Sequence, residues 1–213
     1  MLVRDVMTKN PVTIDVKASI REANDLMKKN NIGKLPVVNK SGALVGIITS
    51  NDLQRAAPSE ATTLDMYELS YLLSKLTVEQ TMVKKVFTVQ EDETVEAAAK
   101  IMADGDFGCL PVMKDKLLVG IITDTDLFKM FINMFDTNEK SVRAIIAMKE
   151  GKGKLSDFAK KVADENGNII TCITADGETP DYRRVTVKVT GVSFAKFKEI
   201  CESCGSVEDI REV

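Results

Sequence analysis

The chain has 213 residues, with 29 Lys plus Arg against 32 Asp plus Glu, a formal charge of −3 and 44% hydrophobic residues; this is a soluble composition sized for one large domain or two small ones at roughly 100–200 residues each. Mild acidity gives no electrostatic reason to expect a nucleic-acid backbone or an anionic membrane as partner, and the absence of histidine excludes His-based triads and His-containing zinc sites. Four cysteines fit reduced thiols better than a secreted disulfide framework, and neither a leader's apolar stretch nor a membrane-length apolar run is visible, so a soluble, cytoplasmic protein is expected.

An internal repeat organises the first two thirds. At an offset of 75, Val3, Met7, Ala23, Met27, Gly33 and Leu35-Pro36-Val37 meet Val78, Met82, Ala98, Met102, Gly108 and Leu110-Pro111-Val112. At an offset of 74, Leu44 to Thr49, Asp52 and Leu53 meet Leu118 to Thr123, Asp126 and Leu127. Residues 1–57 and 77–135 are thus two copies of one unit. Each is too small to be comfortable alone, so the copies are expected to pack together.

Within a copy the pattern predicts helix, strand, strand, helix. Ser19 with Glu22 is a capping-box start, followed by Ile20, Ala23 and Met27 at helical spacing. Leu35 to Val38 and Leu44 to Ile48 read as strands joined by a hairpin at Lys40-Ser41-Gly42, and a helix opens at Thr49 or Ser50. Between the copies, residues 58–76 carry Leu64, Tyr67, Tyr71, Leu72 and Leu76 at mostly i+3 and i+4 steps, an amphipathic helix that either covers the pair's own core or contributes to a dimer seam.

Residues 139–213 change rhythm. Val142 to Lys149 alternates as a strand, and Leu155, Phe158, Ala159, Val162 and Ala163 form one helical face. Asn168 to Thr174 and the run Val185, Val187, Val189 are strands. Ser193 caps a helix stopped by Gly205, and Val207 to Val213 closes as a strand. The order βαββαβ is the ferredoxin-like split arrangement, so the whole chain is expected to be α/β (α+β) with a separate small C-terminal domain.

The repeated Gly-Ile-Ile-Thr-x-x-Asp, Gly46 to Asp52 and Gly120 to Asp126, ends a strand and begins a helix. Backbone N–H groups and the positive helix end lie there; a Thr hydroxyl can face a phosphate or ribose oxygen, and the carboxylate can accept from two ribose hydroxyls. The same Thr-x-x-Asp is also a capping box. Cys201-Glu202-Ser203-Cys204 reads either as a thiol redox pair, which would make the chain an enzyme, or as small apolar residues packed in a last helical turn. A structural adaptor with vestigial clefts is a further alternative.

Together these residues resemble a tandem pair of cystathionine-β-synthase (CBS) domains, the Bateman module. The C-terminal third resembles an ACT domain, with Glu150 to Leu155 in the place of its glycine-bearing ligand loop. The order CBS, CBS, ACT is similar to that of the acetoin-utilisation protein family. The resemblance implies a non-enzymatic regulatory sensor, without a catalytic cofactor or metal, whose two clefts lie about a pseudo-twofold axis and bind AMP, ADP, ATP or another adenosine derivative. Carried over by residue, Lys34, Thr49 and Asp52 would hold phosphate and ribose in one cleft, with Phe107 and Gly108 lining the adenine pocket. Thr123 and Asp126 would serve the other, lined by Ile32 and Gly33. Cys109 stands where Lys34 stands in the first copy, so the Lys34 cleft is expected to prefer a charged nucleotide and the other to take a less charged adenosine derivative, bind weakly or stay empty. In the ACT domain Gly153 and Asn168 match ligand positions for an amino acid. A homodimer, and a regulated partner protein of unknown identity in acetoin or related carbon metabolism, complete the expectation.

Overall fold

The computed structural model describes residues 1–56, 75–135 and 140–213. The expected inter-repeat helix over residues 58–76 falls almost wholly outside them. Two compact units divide the chain, Met1–Met130 and Phe131–Val213.

Among the described residues of the first unit, the first copy supplies seven short elements and the second six. The first gives α1 (Val3–Val6), β1 (Thr8–Lys9), β2 (Ile14–Asp15), α2 (Ile20–Asn30), β3 (Lys34–Val38), β4 (Leu44–Thr49) and α3 (Ser50–Ala56). The second gives α4 (Val78–Thr81), β5 (Val89–Gln90), α5 (Val95–Gly105), β6 (Cys109–Lys114), β7 (Leu117–Thr123) and α6 (Asp124–Phe135), with Val83 bridging where the first copy has β1. α2 starts as its sequence dictates: Ser19 Oγ accepts from the Glu22 N–H at 3.2 Å, and the Glu22 carboxylate accepts from the Ser19 N–H at 2.7 Å. Hydrogen bonds from the Ser19 N–H and then from the Ser19 hydroxyl hold the Glu22 carboxyl below its ordinary pKa. Ile20, Ala23 and Met27 are its buried face. Gly42 turns the β3–β4 hairpin at φ +79°, a left-handed backbone that favours glycine.

The copies are not self-contained but exchange their first elements. β1 pairs with β7 of the second copy, giving a sheet of order β1-β7-β6-β5, while the first copy's sheet, β2-β3-β4, gains a bridge from Val83 to Ile47. α1 follows the exchange. Val3 is fully buried in the second copy's core beside Leu110, Val112 and Ile122, and Val78 is fully buried in the first copy's core beside Leu35, Val37 and Ile48. The first free N–H groups of each short helix are also satisfied by the other copy: Val3 and Arg4 donate to Glu93 O and Glu91 O, and Val78 and Glu79 donate to Ala18 O and Val16 O. A four-residue helix is unstable alone. Burying one valine adds about 1.5–3 kcal/mol, which is what holds it in place.

This exchange also explains the glycine that opens each repeated motif. A Cβ on Gly120 would collide with the Met7 thioether, and one on Gly46 would collide with the Met82 thioether. The paired Met and Gly of the repeat are two halves of one packing contact.

The second unit contains β8 (Val142–Lys149), α7 (Lys154–Asp164), β9 (Asn168–Asp176), β10 (Tyr182–Thr190), α8 (Phe194–Cys204) and β11 (Gly205–Glu212). Its sheet order is β11-β8-β10-β9, with every neighbour antiparallel. This is the ferredoxin-like order that the βαββαβ succession predicts. Alternate residues Val142, Ala144, Ile146 and Met148 on β8, and Val185, Val187 and Val189 on β10, meet Phe158 and Val162 of α7 and Phe197, Ile200 and Cys201 of α8. Leu155, expected on the packed face of α7, is exposed.

Candidate ligand clefts

Each repeated Thr-x-x-Asp forms a capping box at a strand-to-helix corner. Thr49 donates from both N–H (2.9 Å) and hydroxyl (2.7 Å) to Asp52 Oδ2, and the Asp52 N–H donates back to Thr49 Oγ1 at 3.3 Å. Thr123 and Asp126 repeat this at 2.9, 2.7 and 3.2 Å. The hydroxyl hydrogen of each threonine is therefore committed to its own aspartate. This is the capping box that the Thr-x-x-Asp spacing equally allowed. The cap uses only Oδ2, so Oδ1 of each half-buried aspartate remains an acceptor without a partner among the described residues.

Both corners open onto cavities between the copies. The larger, about 570 Å³, brings together Lys34, Thr49, Asp52, Phe107 and Gly108, the complete set expected for the first cleft. The smaller, about 360 Å³, brings together Ile32, Gly33, Thr123 and Asp126, the set expected for the second. Both volumes lie in the range of about 300–1,000 Å³ found for small-molecule sites.

Several lining residues were not foreseen. In the larger cleft, Phe87 stands against Phe107 with ring centroids 4.7 Å apart, and the Lys85 ammonium sits 5.7 Å from the Phe87 centroid. Arg55, on α3, contributes a further cation. In the smaller cleft Val12 and Lys129 occupy the corresponding places. The repeat holds the signal that would have found them, since Val12 meets Phe87 at offset 75 and Arg55 meets Lys129 at offset 74. The larger cleft thus has an aromatic wall where the smaller has an aliphatic one.

Lys34 does not stand as a free phosphate-binding cation. It reaches across to the second copy, where its ammonium donates to Gly108 O and to Asp124 Oδ1, the latter at 3.1 Å. Burial pushes the Asp124 carboxyl up, but hydrogen bonds from Lys34 and from the Thr125 N–H outweigh it and hold that carboxyl below its usual range. Lys34 lines both cavities. The larger cleft carries Lys34, Arg55 and Lys85 against Asp52, Asp106 and Asp124, whereas the smaller carries Lys34 and Lys129 against Asp126. Formal charge therefore does not favour the larger cleft for an anion, as the Lys34-to-Cys109 difference alone led one to expect. Burial pushes the Cys109 thiol up to about 11, so it is a neutral wall residue.

In the second unit Gly153 caps α7 at φ +83°, beside the β8 end that Lys149 shares with Tyr182. Asn168 pairs with Thr190 at the opposite end of the sheet. The structure does not bring these two together within one chain. Cys201 is buried and its thiol is pushed up to about 12, by burial first and then by Cys204, while Cys204 lies 3.6 Å from the Lys161 ammonium. Among the described residues, no group of three or more acidic or cysteine side chains could hold a metal ion, and no helix is long and apolar enough to cross a membrane.

The sequence pattern of the CBS domain matches residues 3–59 and 78–133, more than half of the chain. The chain belongs to the CBS domain family. It carries the domain twice, and solved CBS pairs superpose on it. The CBS pair of protein MJ0100, in complex with 5′-methylthioadenosine and S-adenosyl-L-methionine, is 35% identical at a TM-score of 0.53, covering 62% of this chain and 97% of that one. A putative acetoin utilization protein (AcuB) from Vibrio cholerae is 30% identical at 0.53, covering 63% and 93%. CBSX2 in complex with AMP is 26% identical at 0.52, covering 63% and 98%. Among curated proteins, the L-aspartate semialdehyde sulfurtransferase of Methanocaldococcus jannaschii is 36% identical over 131 residues, 61% of this chain but 23% of that protein. The chain spans about a quarter of the length of the first such relatives, so the likeness is to their CBS portion.

Proposed function

We propose that this CBS pair is a regulatory sensor that binds an adenine nucleotide or another adenosine derivative in both clefts. The observation that carries the reading is the duplicated corner: an aspartate fixed by its own threonine through Oδ2, its Oδ1 without a partner among the described residues, on the wall of a cavity that both copies line. A carboxylate held this way accepts from two vicinal hydroxyls without reorganising, which suits a ribose. Phe87 and Phe107 offer a purine an aromatic wall in the larger cleft, and Val12 and Ile32 an aliphatic one in the smaller. The adenosine ligands of the solved relatives support the same class.

Thiol redox chemistry finds little support, because a buried cysteine whose thiol is pushed up to about 12 is a poor thiolate. The C-terminal unit is read as an ACT-like domain that pairs with a second copy. Its Gly153 and Asn168, at opposite sheet ends of one chain, would serve an amino acid only where two such domains meet. α6 supports a homodimer, since Phe128, Phe131 and Ile132 expose 70%, 58% and 54% of their surface. Ligand occupancy would set the geometry of that dimer for a partner protein to read, and the likeness to AcuB supports a partner in acetoin or related carbon metabolism.

A thermal-shift panel of adenosine, AMP, ADP, ATP, NAD and S-adenosylmethionine tests the reading. A ligand that binds the native state raises the melting temperature with occupancy. At least one compound should do so for wild type, less for Asp52→Ala or Asp126→Ala alone, and not for the double variant. A flat response to every compound would refute it.

A further inference from the structure

Gly33 and Lys34 are the residues common to the walls of both clefts; their repeat counterparts, Gly108 and Cys109, line the larger cleft alone. The bridge between the copies is correspondingly single. Lys34 donates to Gly108 O and to Asp124, whereas at the related position Ser50, the counterpart of Asp124, donates its hydroxyl to Gly33 O at 3.2 Å. One ammonium therefore stands where a symmetric pair would have two.

We propose that Lys34 is a cation shared between the two clefts and makes them anticooperative for anionic ligands. This rests on the adenosine-binding reading above. The ammonium has three N–H donors, and two are already committed. Asp124 lines the larger cleft, so an anion arriving there competes with it for Lys34 and draws the ammonium to that side. An anion in the smaller cleft then meets Lys129 without the shared partner. Occupying the smaller cleft first has the reciprocal effect, as linkage requires. A neutral ligand makes no demand on Lys34, so adenosine fills the two clefts independently. Direct repulsion between two bound anions would also be negative, but it would persist or grow when the lysine is removed.

Calorimetric titrations of the full chain with AMP and with adenosine separate these cases. Asp52→Ala and Asp126→Ala leave one working cleft each and supply the reference affinities. In wild type, the second AMP should bind about five- to tenfold more weakly than in the matching single-cleft variant, while adenosine shows no such difference. Lys34→Met should bring the AMP ratio back to unity with both clefts still binding. Asp124→Asn, which frees the lysine, should tighten AMP but not adenosine in the single-cleft variants. Independent AMP sites in wild type, an undiminished ratio in Lys34→Met, or unchanged AMP affinity in Asp124→Asn would overturn the proposal while leaving the binding reading intact. Absence of binding by both compounds would remove that reading and this one together.

Discussion

The aspartates of the two corners do two jobs with two oxygens. Oδ2 closes the helix cap and, on the proposed function, Oδ1 takes the ligand, so conservative and truncating changes should separate structure from binding. Thr123→Ala removes a cap acceptor and is expected to cost about 0.5–2 kcal/mol of stability, read as a lower urea midpoint, and to loosen the aspartate it positions. Asp124 carries a pH signature of its own. Its folded pKa is depressed, so the Lys34 bridge stabilises the native state above the unfolded carboxyl value of about 4 and is lost as pH falls through the folded value. Melting temperatures taken from about pH 6 to about pH 3 should therefore fall more steeply for wild type than for Asp124→Asn, and parallel curves would show that the bridge contributes nothing measurable. The residues that composition and motif could name, Thr49, Asp52, Thr123 and Asp126, were legible because a duplicated spacing marks them. Lys34 was legible as a charge but not as a bridge, because its partners Gly108 and Asp124 lie 74 and 90 residues away.

Elements long enough to show a period could be read directly. α2 and α8 announce themselves by caps and apolar faces, α7 by its apolar face alone, and β3, β4, β8 and β10 by β-rich or alternating runs. α1, β1 and β2 could not be read in this way, since two to four residues carry no period, and the partners of α1 and β1 lie in the other copy. What the sequence held instead was the pairing of Met7 with Gly120 and Met82 with Gly46, visible only as repeated residues until packing joined them. Gly120→Ala should destabilise by about 1–3 kcal/mol through overpacking, and Met7→Ala should relieve part of that cost. A double-mutant cycle in urea reads the coupling, and additive losses would argue against the exchange. Val3→Ala should cost about 2 kcal/mol or more as a core truncation, read as a lower urea midpoint, although Val3 is only the third residue of the sequence.

At the scale of the molecule, two exchanged copies create two clefts that neither copy could form alone. This is why a ligand held there is placed to report on the packing of the pair. In the proposed homodimer the exposed apolar face of α6 is where a second chain packs. On that reading, replacing Phe128 and Phe131 by Asp should convert a dimer to a monomer in size-exclusion chromatography with light scattering, with the fold of each chain kept because both rings are exposed within it. An unchanged mass would place the association surface elsewhere or remove it. The most direct measurement of the central claim is a crystal structure of the full chain grown with AMP. The account predicts adenosine in the clefts, its ribose hydroxyls within about 2.5–3.2 Å of the Asp52 or Asp126 carboxylate. Every purine lying elsewhere, with both carboxylates bonded only to their own helix starts, would contradict it.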